Sequence, residues 1–463
     1  MANLKKTMFR EYDLRGRVSD DELNSGSVEV IAKAYGTMLH KRNISEAVLG
    51  YDYRECSSRF HDAFLRGLTS TGVNILDLGM ILTPMMYCAQ YHYQTCGGAM
   101  ITASHNPNDW SGFKLSLGYS HTLVPEEMKE LYDLTVSEDF VTGRGTVKKA
   151  SFNKAYTEDL LKRVNITKPL KVVVNCGNGT AGPIAPPILR SAGCEVVELY
   201  TKLDWDFPHY FPNPSIGEMM EDTGQKVREA GADIGLAFDG DGDRLGVTDE
   251  KGENISPDKY LILLARQVLA GNPGAKIIFD VKSTQALVDD VEGHGGKPIM
   301  WITGHSYIKA KLWEEKAPLA GEKSGHIFFG EPVYYGFDDG IFTALKLLDF
   351  LSHQSQSFSQ IMATIPQYVT TPTLHADCDD EIKYKVVEKL TQEFKDDGYE
   401  VNDINGARVK FEDGWGLVRA SSNLPVLVLV FEAKTQEGVE KIQQKFREKM
   451  AKFGEIGKEW HSG

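Results

Sequence analysis

The chain has 463 residues, room for about three or four domains of ordinary size. Hydrophobic residues at 41% and charged residues at 25% are globular proportions, which excludes wholesale disorder. Lys and Arg number 51 against 65 Asp and Glu, a net charge of −14 with no basic run, so a nucleic-acid partner is not expected.

The longest apolar stretches, such as Pro425–Phe431 and Tyr260–Ala265, fall far short of the ~20 residues that span a membrane. The opening Met1-Ala2-Asn3-Leu4-Lys5-Lys6-Thr7 has no apolar core of signal type ahead of Glu11 and Asp13. Six cysteines (Cys56, Cys88, Cys96, Cys176, Cys194, Cys378) lack C-x-x-C spacing, which argues against a zinc site or a disulfide framework. A cytoplasmic location follows as the expectation.

In chain order, short apolar runs that end in polar loops recur with a rhythm. Ala47–Gly50 leads into Tyr51-Asp52-Tyr53-Arg54, Val172–Val174 into Asn175-Cys176-Gly177, and Ile277–Phe279 into Asp280-Val281-Lys282. Continuous apolar runs mark strands buried on both faces. After a helix-length segment each is followed by a second strand, at Val73–Leu78, Cys194–Leu199 and Pro298–Ile302, so three βαβ units with parallel strands are predicted. Each unit then reaches a further strand with an unusual end. These ends read Thr102-Ala103-Ser104-His105-Asn106-Pro107, Asp239-Gly240-Asp241-Gly242-Asp243-Arg244 and Gly321-Glu322-Lys323-Ser324-Gly325-His326. Ligands of open α/β sheets gather at such carboxyl ends, which points to one shared cleft. After Pro366 the pattern changes to an alternating segment, a polar helix (Glu381–Phe394), two strands about Ser421–Pro425, and a closing helix near Gly438–Phe453. The predicted domains are 1–150, 151–254, 255–366 and 367–463: three similar mixed α/β domains and a C-terminal α+β domain around a central cleft.

Asp239, Asp241 and Asp243 alternate with glycines, and in an extended loop such residues face one side. Their mutual repulsion is relieved by a hard divalent cation. Glu250 would complete an EF-hand loop, but Arg244 stands where that loop needs Gly, so Mg²⁺ at a phosphoryl site is the better reading. Ser104 lies just past a strand end, with Lys114 a few residues on. The chain has no G-x-S-x-G elbow, and a turn in which Ser and Asn satisfy the backbone is the plain alternative. Beside a metal cluster, a serine that carries phosphate is the stronger idea. Gly177–Gly182 matches G-x-G-x-x-G after a strand, with Glu198 in the next strand, and keeps an NAD-binding oxidoreductase open as a second class of function. Glycines also serve tight packing at a strand-to-helix turn. Glu322, Ser324 and His326 alternate along a loop and suit sugar hydroxyls and proton transfer. Arg419 with Ser421, Ser422 and Asn423 suits a phosphate. Tyr12, Arg15, Arg54, Lys282, His305 and Lys309 add donors at strand ends.

Together these motifs resemble the α-D-phosphohexomutases, most closely the bacterial phosphomannomutase/phosphoglucomutase branch. The matching residues run from Phe9–Gly16 through Thr102–Pro107, Asp239–Arg244, Thr303–Ser306 and Gly321–His326 to Arg419–Pro425. The resemblance implies a four-domain, heart-shaped molecule that moves phosphate between O1 and O6 of a hexose. It implies Ser104 as the phosphoserine and Asp239, Asp241 and Asp243, with Ser104, as the Mg²⁺ site. The catalytic set read from it is Ser104, His105, Lys114, Arg15, Arg244 and His326. The substrate-binding set is Tyr12, Lys282, His305, Lys309, Glu322, Ser324, Arg419, Ser421, Ser422 and Asn423. A hexose 1,6-bisphosphate serves as activator and intermediate, and the partners are small phosphosugars bound by a monomer. Phosphoglucosamine mutase is the alternative within the family, and a non-catalytic sugar-phosphate binder stands outside it. Two departures are visible: Lys323 stands where the branch has Met, and Ser421-Ser422-Asn423 where it reads Ser-Asn-Thr or Ser-Gly-Thr.

Overall fold

The continuous apolar runs form strands, and burial on both faces explains their composition. The computed structural model describes residues 4–422 and 424–462. It divides into two units, one made by the chain up to Ile255 with Ser324–Ser359, the other by Ser256–Lys323 with the chain from Gln360 onward.

In the first unit, β1 (Leu14–Arg17), β2 (Glu46–Tyr51), β3 (Asn74–Met80), β4 (Gly97–Ile101), β5 (Trp110–Leu117) and β6 (Val147–Lys149) form a sheet ordered β1-β5-β4-β2-β3-β6. β2 lies between β3 and β4, parallel to both, and β5 returns antiparallel to β4. The helix Ser25–Lys41 begins at a reciprocal cap: Asn24 accepts from Gly26 and Ser27 N–H, and Ser27 Oγ accepts from Asn24 N–H. Its buried face, with Val28, Ile31 and Tyr35, packs in one core with Phe60 and Phe64 of the next helix and Ala47 and Leu49 of β2. A second sheet joins β7 (Lys171–Asn175), β8 (Glu195–Leu199), β9 (Ile234–Phe238), β10 (Leu245–Thr248) and β11 (Asn254–Ile255) in the order β11-β10-β9-β7-β8. Again the first strand sits between the second and third, parallel to both, and an antiparallel strand follows.

The second unit repeats the scheme with β12 (Lys276–Asp280) parallel to β13 (Lys297–Trp301) on one side and β14 (Leu319–Gly321) on the other. Its other sheet is antiparallel, ordered Val401–Asn402, Ala407–Lys410, Gly414–Ala420, Val426–Ala433, Leu374–Asp377, His461–Ser462. Helices Lys383–Asp396 and Gln436–Met450 pack on it through Leu390, Phe394, Ile442 and Phe446. Among the described residues no helix is long and apolar enough to cross a membrane.

The G-x-G-x-x-G segment has a packing role. A Cβ on Gly182 would stand 1.9 Å from Thr201 O, inside any real contact distance. Thr180, inside the segment, accepts from Tyr53 N–H through Oγ1 at 2.9 Å and donates its N–H to Gly240 O at 3.2 Å. The glycines let this loop lie close enough to brace the turn after β9. Gly182→Ala should therefore destabilise the fold by about 1–3 kcal/mol through overpacking. Denaturant unfolding of the purified chain checks this, and unchanged stability would contradict the packing role.

Candidate active site

Ser104 is set by its neighbours. β4 is buried throughout and ends at Ile101, and the chain turns before β5. Two buried arginines hold the backbone of that turn. Arg54 donates from Nη2 to Ser104 O and Asn106 O, both at 2.8 Å, and from Nη1 to Pro107 O at 3.0 Å. Arg15 donates from Nη1 to Asn106 Oδ1 at 2.7 Å and Ala103 O at 3.3 Å, and from Nη2 to Asp13 Oδ2 at 3.1 Å. Asp52 at the end of β2 accepts from Ala103 N–H and Arg54 Nε. Held this way, Ser104 has φ +51°, a left-handed backbone that a residue with a Cβ avoids unless its surroundings impose it. Its Oγ donates to Asp239 Oδ2 at 2.8 Å and lies 3.0 Å from His105 Nδ1. Burial, then Arg244 and Arg15, hold the His105 imidazole well below its usual range, so it is neutral.

The three aspartates follow β9 in a tight turn, with Gly242 at φ +74°, and not in the extended loop expected from their alternation. The turn itself brings the carboxylates together. A Cβ on Gly240 would stand 2.3 Å from Ser104 O, so only glycine lets the two loops approach this closely. All three side chains are fully buried, with ligand oxygens within 4.8 Å of one another. Lys114, delivered by β5, donates to Asp241 Oδ2 at 2.9 Å and to Asp243 Oδ2, and Thr83 Oγ1 donates to Asp241 Oδ2 at 2.5 Å. Burial raises every carboxylate here. For Asp241 and Asp243 the Lys114 charge overrides it and holds them below the usual range. Asp239 is pushed well up by burial and by the other two anions. Among the described residues, no hydrogen-bond donor reaches the buried oxygens Asp241 Oδ1 and Asp243 Oδ1. Three carboxylates, a hydroxyl and two undonated oxygens fit a hard divalent cation. Glu250, the EF-hand candidate, accepts instead from Ser359 N–H and Oγ.

Arg244 pairs through its backbone with His326 and donates Nε–H to His326 Nε2 at 2.9 Å. His326 Nδ1 lies 2.8 Å from Asp338 Oδ2, a residue that no motif in the sequence singled out. Tyr12 is buried ahead of β1, and Ser324 lies half-buried in the turn before His326.

In the second unit, Glu322 follows β14 and its Oε1 accepts from Gly304 N–H at 2.5 Å. That contact holds the start of the helix His305–Glu315, which buries His305 and Lys309 one turn apart. Lys282 Nζ lies 3.5 Å from Asp280 Oδ2 beyond β12, and Asp280 also accepts from Thr303 Oγ1 and Lys323 N–H. Lys323 Nζ lies 3.4 Å from Asp258 Oδ2. Arg419 is buried and donates from Nη2 to Ser422 Oγ at 3.4 Å, while Ser421 Oγ accepts from Leu424 N–H at 3.2 Å. Lys383, missed in the sequence because it sits in a polar helix among ordinary charges, donates to Ser421 O and, at 2.9 Å, to Leu424 O. Asn423 lies outside the described residues.

Four family models match in chain order. They are phosphoglucomutase/phosphomannomutase alpha/beta/alpha domain I over residues 6–142, domain II over 154–252, domain III over 256–368, and the C-terminal domain over 376–449. A phosphomannomutase/phosphoglucomutase of Pseudomonas putida is 41% identical over 446 residues, 96% of each chain. A phosphoglucomutase of Neisseria gonorrhoeae is 39% identical over 451 residues, 96% of this chain and 97% of that one. The crystal structure of a phosphoglucomutase/phosphomannomutase family protein from Burkholderia thailandensis superposes with a TM-score of 0.91 at 39% identity, covering 98% of this chain and 99% of that one.

Lys114 and a divalent cation would both neutralise the same carboxylates, those of Asp241 and Asp243. Lys114→Met should cost about 3–5 kcal/mol in chelator, because it leaves buried anions without their partner. Added divalent cation should then raise its Tm by more than it raises that of the unsubstituted protein. Thermal melts with and without cation check this, and equal shifts would show that the two do not compete.

Proposed function

The chain belongs to the phosphoglucomutase/phosphomannomutase family, and we propose that it passes phosphate through Ser104 to interconvert the 1- and 6-phosphates of glucose and mannose. It is an enzyme, a phosphohexomutase. The observation that carries the role of Ser104 is its Oγ, 2.8 Å from Asp239 in a backbone conformation imposed from outside.

Asp239, Asp241 and Asp243, with the phosphorylated Ser104, hold Mg²⁺. When bound, the ion neutralises charge on the transferring phosphoryl group. The protein's own groups do the rest. A sugar hydroxyl attacks the Ser104 phosphoryl group, the Ser104 Oγ–P bond breaks, and the hydroxyl proton passes to a base. His326 Nε2 is that base, since it is already an acceptor for Arg244. Lys114 and Arg15 steady the charge around the transfer, and neutral His105 stays beside the Ser104 oxygen. The bisphosphorylated sugar then turns over and returns its other phosphoryl group to Ser104. Glu322 and Ser324 read sugar hydroxyls. Arg419, Ser421, Ser422 and Asn423 take the phosphate that is not reacting, and Tyr12, Lys282, His305 and Lys309 supply further donors. On this reading residues 1–150 carry the phosphoserine, 151–254 the metal loop, 255–366 the sugar loop and 367–463 the phosphate loop, in a cytoplasmic monomer. Steady-state kinetics with mannose 1-phosphate, glucose 1-phosphate and glucosamine 6-phosphate tests the substrate class. Preference for the amino sugar would move the chain to the phosphoglucosamine branch.

Ser104→Ala should fold normally, carry no phosphoryl group by intact mass, and lose most turnover. Wild-type turnover in that variant would remove the assignment. Arg419→Ala should cost about 10- to 150-fold in kcat/KM, the value of a charged hydrogen bond, mainly through KM. Lys at 419 should recover part, because it keeps the charge and loses the fork. A collapse of kcat at constant KM would instead put Arg419 on the transferring phosphate.

A further inference from the structure

We propose that Arg408 is a positioning residue for substrate binding: it ties the loop that carries Lys282 to the strands that carry Arg419, and so fixes the separation of two cations that hold the phosphosugar. This rests on the reading of Lys282 and Arg419 as substrate-binding residues.

The loop after β12 is held from two sides. Val281 N–H donates to Trp301 O at 3.2 Å, Ser283 N–H to Asp280 O at 3.0 Å and Thr284 N–H to Asp258 Oδ2 at 2.9 Å, all without help from the antiparallel sheet. Two of its carbonyls are met from that sheet. Arg408 Nη1 donates to Val281 O at 2.6 Å and to Ser283 O at 2.9 Å, the carbonyls on either side of Lys282. A backbone gripped at both neighbours cannot swing, so Arg408 sets the direction in which the Lys282 side chain leaves it.

Arg408 is itself fixed. It is buried, and its guanidinium carbon lies 3.5 Å from the centre of the Trp415 ring. Trp415 Nε1–H donates to Glu432 Oε1 at 2.8 Å, and the same oxygen accepts from Gln285 N–H, just beyond the loop, at 2.7 Å. Burial draws the Arg408 guanidinium down to about 10, so it remains charged at neutral pH. Among the described residues no acceptor reaches its buried Nη2. An apolar side chain would fill this place without burying a charge and an unmatched N–H. What the guanidinium adds is its grip on two carbonyls at once.

Strand register connects Arg408 to Arg419. Arg408 stands opposite Leu417 in the antiparallel pairing, and Trp415, Leu417 and Arg419 alternate along one strand and share its face. That face packs on the loop, where Trp415, Leu417 and Val430 form one apolar cluster with Val281. Arg419 follows Leu417 on it, about 7 Å further along the strand. Lys282 is thus joined to Arg419 through two hydrogen bonds and the register of two paired strands. A ligand held by both cations binds more tightly when their spacing is set before it arrives.

Steady-state kinetics of the full chain with glucose 1-phosphate tests this. Arg408→Met keeps the bulk beside Trp415 and donates nothing, and it should raise KM about 10-fold. That is at the low end of what a charged hydrogen bond contributes, because Lys282 is displaced and not removed. Turnover should stay within about threefold, and Ser104 should carry phosphate as before. Lys282→Met should raise KM about 10- to 150-fold, and adding Arg408→Met should raise it no further, since the group that Arg408 positions is then gone. Unchanged KM in a folded Arg408→Met, or a double substitution whose KM rise is the product of the two single ones, overturns the proposal and leaves Lys282 as a substrate contact. Unchanged KM in Lys282→Met or in Arg419→Ala removes that reading and this inference with it. Should Arg408→Met fail to fold, Arg408→Lys, which keeps the charge and loses the planar fork, decides by the same criteria.

Discussion

Three carboxylates buried within 4.8 Å of one another set the terms for the first unit. Removed from water, three such anions repel too strongly to coexist without positive charge among them. Lys114 supplies part of it, and its effect is uneven: Asp241 and Asp243, which it touches, are held ionised, while Asp239, which it does not, is pushed toward its neutral form. The carboxylate with the raised pKa is the one that receives the Ser104 hydroxyl.

The same crowding explains why the surrounding backbone is so constrained. Gly240 passes within contact of Ser104 O, and any Cβ there would drive the two loops apart. Ser104 itself sits in a left-handed conformation that costs of order 1–3 kcal/mol for a residue with a Cβ. Charge-assisted hydrogen bonds from Arg54 to three carbonyls of the turn offset it, and Arg15 adds a fourth carbonyl. The arginine charges thus fix the direction of one hydroxyl, and both guanidinium groups are buried with an aspartate partner, Asp52 or Asp13.

Much of this was legible in the sequence. Continuous apolar runs located β2, β7 and β12 because a strand covered on both faces has no polar side to show, and the unusual residues after β4, β9 and β14 stood out against them. The form of the acidic loop was not legible: D-G-D-G-D reads as alternation, and whether it extends or turns depends on how close Ser104 O must come. The G-x-G-x-x-G segment was ambiguous for a related reason, since glycine permits close approach without saying to what. Asp338 and Lys383 left no signal. Each is one charged residue among many, and its contact appears only in the folded chain, with His326 Nδ1 for Asp338 and with the carbonyls of Ser421 and Leu424 for Lys383.

The repeat separates geometry from chemistry. β2, β7 and β12 occupy the same place between two parallel neighbours, and in each case a third strand ends in a loop that carries polar residues. Topology delivers three loops at strand ends and imposes nothing on their content. The loop after β4 offers a hydroxyl, the loop after β9 three carboxylates, and the loop after β14 a carboxylate that accepts a helix N–H. Each difference is one of side-chain identity on a common frame, so the same strand arrangement carries three kinds of side-chain chemistry without a new fold. The C-terminal sheet follows a different plan, antiparallel throughout, and its strand-end loop Arg419–Ser422 has a guanidinium and hydroxyls with no carboxylate in the run. A loop of that composition offers donors suited to an anion and no carboxylate charge to draw a cation, so its chemistry differs from that of the acidic loop by composition alone.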